Sequence, residues 1–196
     1  MAKKNTRNTK GRIVAAAWKL FYEQGYDDTT IEEIIDESGT SKGSFYHYFE
    51  SKDALLGSLS MLFDEKYEEV NQTLDPEMNS FDKLMYFNQT LFEMIDTSIP
   101  LDLITQLYSS QLVTRSDKHL LDHNRVYYRL LRQVILEGQR RGQITDTVTV
   151  NEISKLYALC ERALIYDWCL CGGEYSLKNY SKRIFPLMLG HIRTEG

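Results

Sequence analysis

Ser44, Tyr46 and His47 fall within one short stretch, Lys42–Phe49, in which the large apolar ring of Phe45 recurs at Phe49. An i, i+4 pair of phenylalanines anchors one face of a helix, so Lys42, Ser44, Tyr46, His47 and Tyr48 are left on or near its exposed faces. A helix that turns aromatic rings, hydroxyls and an imidazole outward is built to touch another molecule. The N-terminal end of such a helix suits nucleic acid: free backbone N–H groups, the helix dipole and short polar side chains meet phosphates and base edges there. Gly43 lets the backbone come close. A protein-contact face or a solvated aromatic edge would show the same pattern, and those readings stay open at this point.

The residues before this stretch predict what holds it. Thr30 and Glu33 form a Thr-x-x-Glu capping box, and Ile31, Ile34 and Ile35 give a short helix one apolar stripe. Gly39 stands where the chain must leave that helix, and Ser41 is placed to cap the next one. The result is a helix-turn-helix over Thr29–Phe49. A helix from near Lys10 to Gln24, with Ile13, Ala16, Ala17, Leu20 and Phe21 on one face, completes a three-helix unit. A fourth helix starts at Ser51 and continues toward Asn71. Lys52 sits in its first turn, where the dipole disfavours a cation unless an anion such as a phosphate is near. Lys3, Lys4, Arg7, Lys10 and Arg12 precede any acid, which fits either a basic arm on DNA or an ordinary solvated terminus.

Thr29-Thr30-Ile31-Glu32-Glu33-Ile34, followed by Gly39 through Leu56, closely resembles the DNA-binding domain of TetR-family (tetracycline-repressor-like) transcriptional regulators. The resemblance covers about residues 10 to 60. It implies a homodimer whose paired helices hold a palindromic operator on double-stranded DNA, and a C-terminal domain that takes a small inducer. Carried onto this chain, Ser44, Tyr46 and His47 read base edges or sugar-phosphate. Thr29, Thr30, Thr40, Ser41, Lys42, Gly43, Tyr48 and Lys52 lie along the backbone. Thr40 is a mild departure, since the family more often has an apolar residue there.

Composition narrows the rest. With 196 residues, 42% of them hydrophobic, the chain has ample core. A net charge of −5 rules out coating nucleic acid over the whole surface, so DNA contact must be local. Cys160, Cys169 and Cys171 show neither a disulfide framework nor zinc spacing, which suits a reducing cytoplasm. No apolar run reaches membrane-spanning length, and no phosphate-binding, nucleophile-elbow or zinc-hydrolase motif calls for an enzyme or a cofactor.

Beyond a loop at Thr73–Ser80 the pattern predicts five more helices and no strand, an all-α chain of about nine helices. Its expected parts are a DNA-binding domain over 1–56 and an effector-binding and dimerisation domain over 57–196. Loops fall near 97–100, 114–118, 142–149 and 172–175. Thr149 and Glu152 make a second capping box. The last two helices, about 150–171 and 176–193, are apolar over wide arcs that include Ile153, Leu156, Leu164, Trp168, Leu177, Ile184, Phe185 and Leu189. Burial against a second copy is the economical outcome. Pro186 should kink or interrupt the last helix. Among the scattered aromatics, Tyr108, Tyr127 and Trp168, with Asp167 as a charged partner, are the candidate ligand contacts. His119 and His123 stand at i, i+4, but two ligands alone do not make a metal site.

Overall fold

A computed structural model describes residues 3–113 and 118–194, the side chains of residues 3–8 excepted. Its α-helices are α1 (Lys3–Gln24), α2 (Ile31–Ser38), α3 (Lys42–Tyr48), α4 (Lys52–Thr73), α5 (Ser80–Ser98), α6 (Leu101–Val113), α7 (Val126–Arg140), α8 (Val150–Leu170) and α9 (Leu177–Leu189). Short 3-10 turns follow at His119–Leu121 and Gly190–Ile192. An isolated antiparallel bridge joins Ile144 to Arg193. No described helix is long and apolar enough to cross a membrane.

The chain forms two compact units, residues 1–61 with 100–120, and residues 62–99 with 121–196. This differs from a division near residue 56, because α6 groups with the N-terminal unit. Leu103, Ile104 and Leu107 of α6 are fully buried. The Gln106 amide donates to Asp27 Oδ1 at 3.2 Å, and Asp102 accepts from the Tyr26 N–H at 3.5 Å. Such partners lie some eighty residues apart and leave no mark on local periodicity. The rest of the first core is Ile13, Ala17, Phe21, Ile34, Phe45, Leu55, Leu56 and Leu59, each at or below 1% exposure. The Trp18 indole donates to Ser58 Oγ at 2.8 Å, which allows a buried N–H on α1.

Helix α1 begins at Lys3, earlier than its apolar stripe, which starts at Ile13. A basic arm over Lys3, Lys4 and Arg7 concerns side chains outside the described residues. Arg12 is no part of a free arm: its guanidinium donates to the Ser38 carbonyl and, at 2.7 Å, to the Gly39 carbonyl, closing the C-terminal end of α2.

In the second unit α5, α7, α8 and α9 pack around Phe81, Leu84, Phe92, Ile95, Leu131, Ile135, Ile153, Tyr157, Phe185 and Leu189. The Thr149–Glu152 capping box forms as expected, with the Glu152 N–H on Thr149 Oγ1 at 3.3 Å and Glu152 Oε2 accepting from the Thr149 N–H at 3.0 Å. Pro186 lies inside α9, which continues to Leu189 without interruption. The carbonyl deprived of a donor is that of Lys182, an exposed residue, so water can meet it.

Of the α8–α9 residues expected to face a second copy, Ile153, Leu164, Trp168, Leu177, Phe185 and Leu189 are buried inside this unit. Leu156 and Ile184 are half-buried. The apolar side chains turned outward are instead Leu159, Tyr166, Leu170, Tyr180 and Leu187. On α8 these recur at the i, i+7, i+11 spacing of a single stripe.

Gly138 is closely packed in this core. A Cβ there would stand 2.6 Å from Ile144 Cδ1 and 2.8 Å from Ser80 Cβ, and both neighbours are buried. Alanine normally stabilises a helix interior by about 1 kcal/mol over glycine. Here overpacking outweighs that gain, so Gly138→Ala should cost about 1–3 kcal/mol net, read as a lower urea midpoint.

Candidate functional site

The corner between α2 and α3 is fixed from both sides. Thr30 Oγ1 accepts from the Glu33 N–H at 3.2 Å and Glu33 Oε2 accepts from the Thr30 N–H at 2.8 Å, a complete capping box. Gly39 adopts φ 58°, the left-handed conformation that glycine takes without penalty, and its N–H reaches the Asp36 carbonyl at 3.1 Å. A Cβ at Gly39 would also stand 2.9 Å from the Arg12 guanidinium. Ser41 caps α3, accepting from the Ser44 N–H at 3.1 Å, and the two hydroxyls pair at 2.9 Å.

On α3 itself Phe45 is fully buried and Phe49 is 6% exposed. Tyr46, His47, Lys42, Gly43 and Ser41 are exposed, whereas Ser44, Tyr48 and Thr40 are half-buried. Tyr46 meets Phe45 edge-on at 5.4 Å and the His47 ring meets Tyr48 at 4.8 Å, so neighbouring rings brace both outward side chains. Lys42 Nζ lies 3.1 Å from Glu32 Oε1, a pair that water screens on both sides. Exposed pairs of this kind contribute little to stability, so Lys42 can leave Glu32 for a phosphate at little cost.

Two residues taken for backbone clamps have other work. Thr29 is 1% exposed, and its hydroxyl donates to the Gly25 carbonyl at 2.7 Å, closing the α1–α2 turn. Lys52 is half-buried, its ammonium bonded to the Tyr26, Thr29 and Asp27 carbonyls at 2.6, 2.9 and 3.3 Å and lying 4.2 Å from the centroid of the Tyr26 ring. These carbonyl dipoles supply the negative potential that a lysine in a first helical turn requires. Tyr26 in turn donates its hydroxyl to Asp53, and burial together with that carboxylate pushes the phenol far above its usual range. Lys52 thus ties α4 to the turn that precedes α2.

The candidate ligand contacts do not form one group. Tyr108 is half-buried on α6 in the first unit. Trp168 is buried and donates to the Tyr175 carbonyl at 2.8 Å, while Asp167 accepts from the Tyr175 hydroxyl at 2.9 Å; together they hold the α8–α9 turn. Tyr127 is 7% exposed and donates to Glu161 Oε2 at 2.8 Å. Glu161, 4% exposed, also accepts from Tyr67 and Asn88, neither of which the sequence reading singled out. The available signal was an acid on the apolar stripe of α8, where Glu161 continues the spacing of Ile153, Tyr157, Leu164 and Trp168. His119 opens a 3-10 turn rather than an α-helix, and His123 lies against Tyr128 with ring centroids 4.6 Å apart, so the two imidazoles do not share a helical face. Among the described residues no three His, Cys, Asp or Glu side chains are grouped to hold a metal.

Comparison with known proteins agrees with this geometry. Residues 13–59 match the family model for bacterial regulatory proteins of the tetR family. Residues 59–191, more than half of the chain, match that for the C-terminal region of YsiA-like proteins. The transcriptional repressor KstR2 of Mycobacterium tuberculosis H37Rv is 23% identical over 189 residues, covering 95% of this chain and 94% of the relative. The structure of Thermus thermophilus FadR, a TetR-family repressor in complex with lauroyl-CoA, superposes with TM-score 0.76 at 21% identity, covering 95% and 96% of the two chains. FadR of Bacillus subtilis with stearoyl-CoA gives TM-score 0.69 at 19% identity over 94% and 100%. Helix-turn-helix geometry, a helical second unit and both halves of the family signature converge: the chain belongs to the tetR family of transcriptional regulators, DNA-binding proteins that are not enzymes.

Proposed function

We propose that this regulator is a homodimeric repressor that holds a palindromic operator through paired α3 helices and lets go when an acyl-CoA occupies its second unit. The observation that carries the DNA reading is the outward face of α3, where Tyr46 and His47 project from a helix capped at its start and anchored by Phe45. Ser44, Tyr46 and His47 are the readers. Thr30, Thr40, Ser41, Lys42, Gly43 and Tyr48 follow the backbone, and Lys52 acts through the turn it ties down. Two copies would set their α3 helices about 34 Å apart, one turn of B-DNA. Such a protein works in the cytoplasm, where its operator is.

The outward stripe of Leu159, Tyr166 and Leu170 on α8, with Leu187 on α9, supports the dimer, since water-exposed leucines grouped this way favour burial against a like surface. Replacing Leu159 and Leu170 by glutamate should turn a dimer into a monomer in sedimentation velocity without loss of helical circular dichroism. An unchanged sedimentation coefficient would remove that face from the interface.

Support for the acyl-CoA ligand comes from the two FadR neighbours solved with lauroyl- and stearoyl-CoA. Tyr127 is the one ligand-contact candidate placed among buried polar groups of the second unit; Asp167 and Trp168 would join it only if the ligand reaches the α8–α9 turn, and Tyr108 belongs to the first unit. A ligand releases DNA only by binding the non-operator conformer more tightly than the operator-bound one.

The test is fluorescence anisotropy of duplexes tiled across the DNA flanking the protein's own gene, at two salt concentrations, with and without lauroyl-CoA. Selective, salt-sensitive binding to an inverted repeat, reversed by lauroyl-CoA, is the expected result. Lys42→Ala should weaken binding to every duplex and lower the salt slope by about 1, whereas Tyr46→Ala and His47→Ala should change preference among sequences. Wild-type behaviour of all three variants on every duplex would exclude α3 as the reader.

A further inference from the structure

Among the described residues Glu161 is the only buried carboxyl, and no ion pair reaches it. Its oxygens instead collect donors from three other helices. Tyr67 of α4 donates at 2.9 and 3.1 Å, Asn88 of α5 at 3.1 Å and Tyr127 of α7 at 2.8 Å. Asn88 is itself fixed by the Ser181 hydroxyl of α9, and Tyr157, one turn before Glu161, donates to the Leu84 carbonyl at 2.9 Å. One acid therefore gathers α4, α5, α7 and, through Asn88, α9.

The groups facing it leave its charge unbalanced. The titratable ones are Tyr67, Tyr127, Tyr157 and Cys160, all pushed up by burial first and by Glu161 itself second, so they stay protonated and neutral. Helices α5 and α9 contribute the uncharged Asn88 and Ser181. Arg162, the next residue on α8, has its guanidinium 3.3 Å from the Tyr128 hydroxyl. Burial lifts the Glu161 carboxyl above the usual range, and the donors from Asn88, Tyr127 and Tyr67 offset only part of that. A buried acid without a cation answers to whatever enters beside it.

An acyl thioester offers a carbonyl, which accepts hydrogen bonds and donates none. Beside ionised Glu161, that carbonyl would compete for the same three donors, and one buried acceptor would be left next to an anion. A proton on Glu161 removes the conflict, because the carboxyl becomes a donor and Tyr67 or Tyr127 is freed for the ligand. We infer that Glu161, Tyr67, Tyr127 and Asn88 form the carbonyl-reading end of the ligand site, and that Glu161 takes a proton from solvent when an acyl-CoA binds. This rests on the acyl-CoA reading given above.

Calorimetric titration of the full chain with lauroyl-CoA, in two buffers of equal pH and different ionisation heat, counts the protons taken up. At a pH where free Glu161 is ionised, uptake should be about one proton per protomer, and affinity should fall by up to about tenfold per pH unit as pH rises. The sign follows from a bound-state pKa above the free-state one: binding is fully favoured below the free value and weakens up to the bound value. Glu161→Gln, neutral and able to donate, should bind with no proton uptake and a flat pH profile. Tyr127→Phe should lose about 3- to 10-fold in affinity. Tight binding without proton uptake, or equal pH dependence in Glu161→Gln, would overturn the proton-linked site and leave the acyl-CoA reading standing. No heat and no thermal shift with lauroyl-CoA at any pH would overturn both.

Discussion

Phe45→Ala is expected to abolish operator binding by unfolding the first unit, while Tyr46→Ala, one residue away, leaves that unit folded. Phe45 is fully buried, and its ring meets Phe49 at 5.9 Å and Tyr46 at 5.4 Å. Truncating a buried phenylalanine costs about 3–5 kcal/mol in transfer energy and residual cavity. A small domain has about 5–15 kcal/mol in all, so the loss takes much of what this unit holds. Helix α3 has only seven residues and cannot persist alone. Tyr46 is 46% exposed, and surface changes of that kind stay within about 0.5 kcal/mol. The contrast is read by urea denaturation beside anisotropy: Phe45→Ala loses both stability and binding, and Tyr46→Ala loses only discrimination among duplexes. Equal stability of the two variants would mean that Phe45 is not the anchor of α3.

The same pair of residues shows what a sequence can disclose. Phe45 and Phe49 at i, i+4, the Thr30–Glu33 and Thr149–Glu152 boxes and the left-handed Gly39 are all settled within four residues of chain, and each was legible. What escaped is long-range and polar. The Lys52 ammonium looks like a cation facing solvent until the carbonyls of Tyr26, Asp27 and Thr29 fold over it. Thr29 has the residue type of a phosphate contact, yet its hydroxyl turns inward to Gly25. Arg12 likewise counts as arm charge by position and as a helix cap by geometry. Glu161 was passed over because its partners lie 34, 73 and 94 residues away. Hydrophobic periodicity places α8 correctly but is silent about which polar residue its buried side retains. The tie between α6 and the first helices is equally silent in the local pattern, since the link from Asp102 to Tyr26 spans 76 residues.

Arg125→Ala should be among the most damaging single changes in the second unit, at about 3 kcal/mol. Arg125 ends the turn before α7 and meets Asp64 of α4 with two parallel bonds, Nε to Oδ2 at 3.1 Å and a terminal nitrogen to Oδ1 at 2.8 Å. The side chains are only 11% and 15% exposed, so solvent screens the pair weakly. Asp64 has a second duty. Arg125 occupies the cap position of α7 without capping it by its own side chain, and Asp64 Oδ1 accepts the Tyr127 N–H at 3.3 Å in its place. Removing the guanidinium leaves a nearly buried carboxylate with one weak backbone donor, and breaking one partner of such a pair costs several times what the pair contributes net. The loss also spreads, because the guanidinium lies 5.7 Å from the centroid of the Tyr127 ring and Tyr127 is a donor to Glu161. Asp64→Ala should cost less than Arg125→Ala, since an arginine relieved of its partner can reach water along its flexible stem. The double variant should then be more stable than the sum of the single losses predicts, with a coupling of about 1–3 kcal/mol in a urea cycle. Strict additivity would show that each residue acts separately, one on packing and one as the α7 cap, and that no ion pair joins α4 to α7.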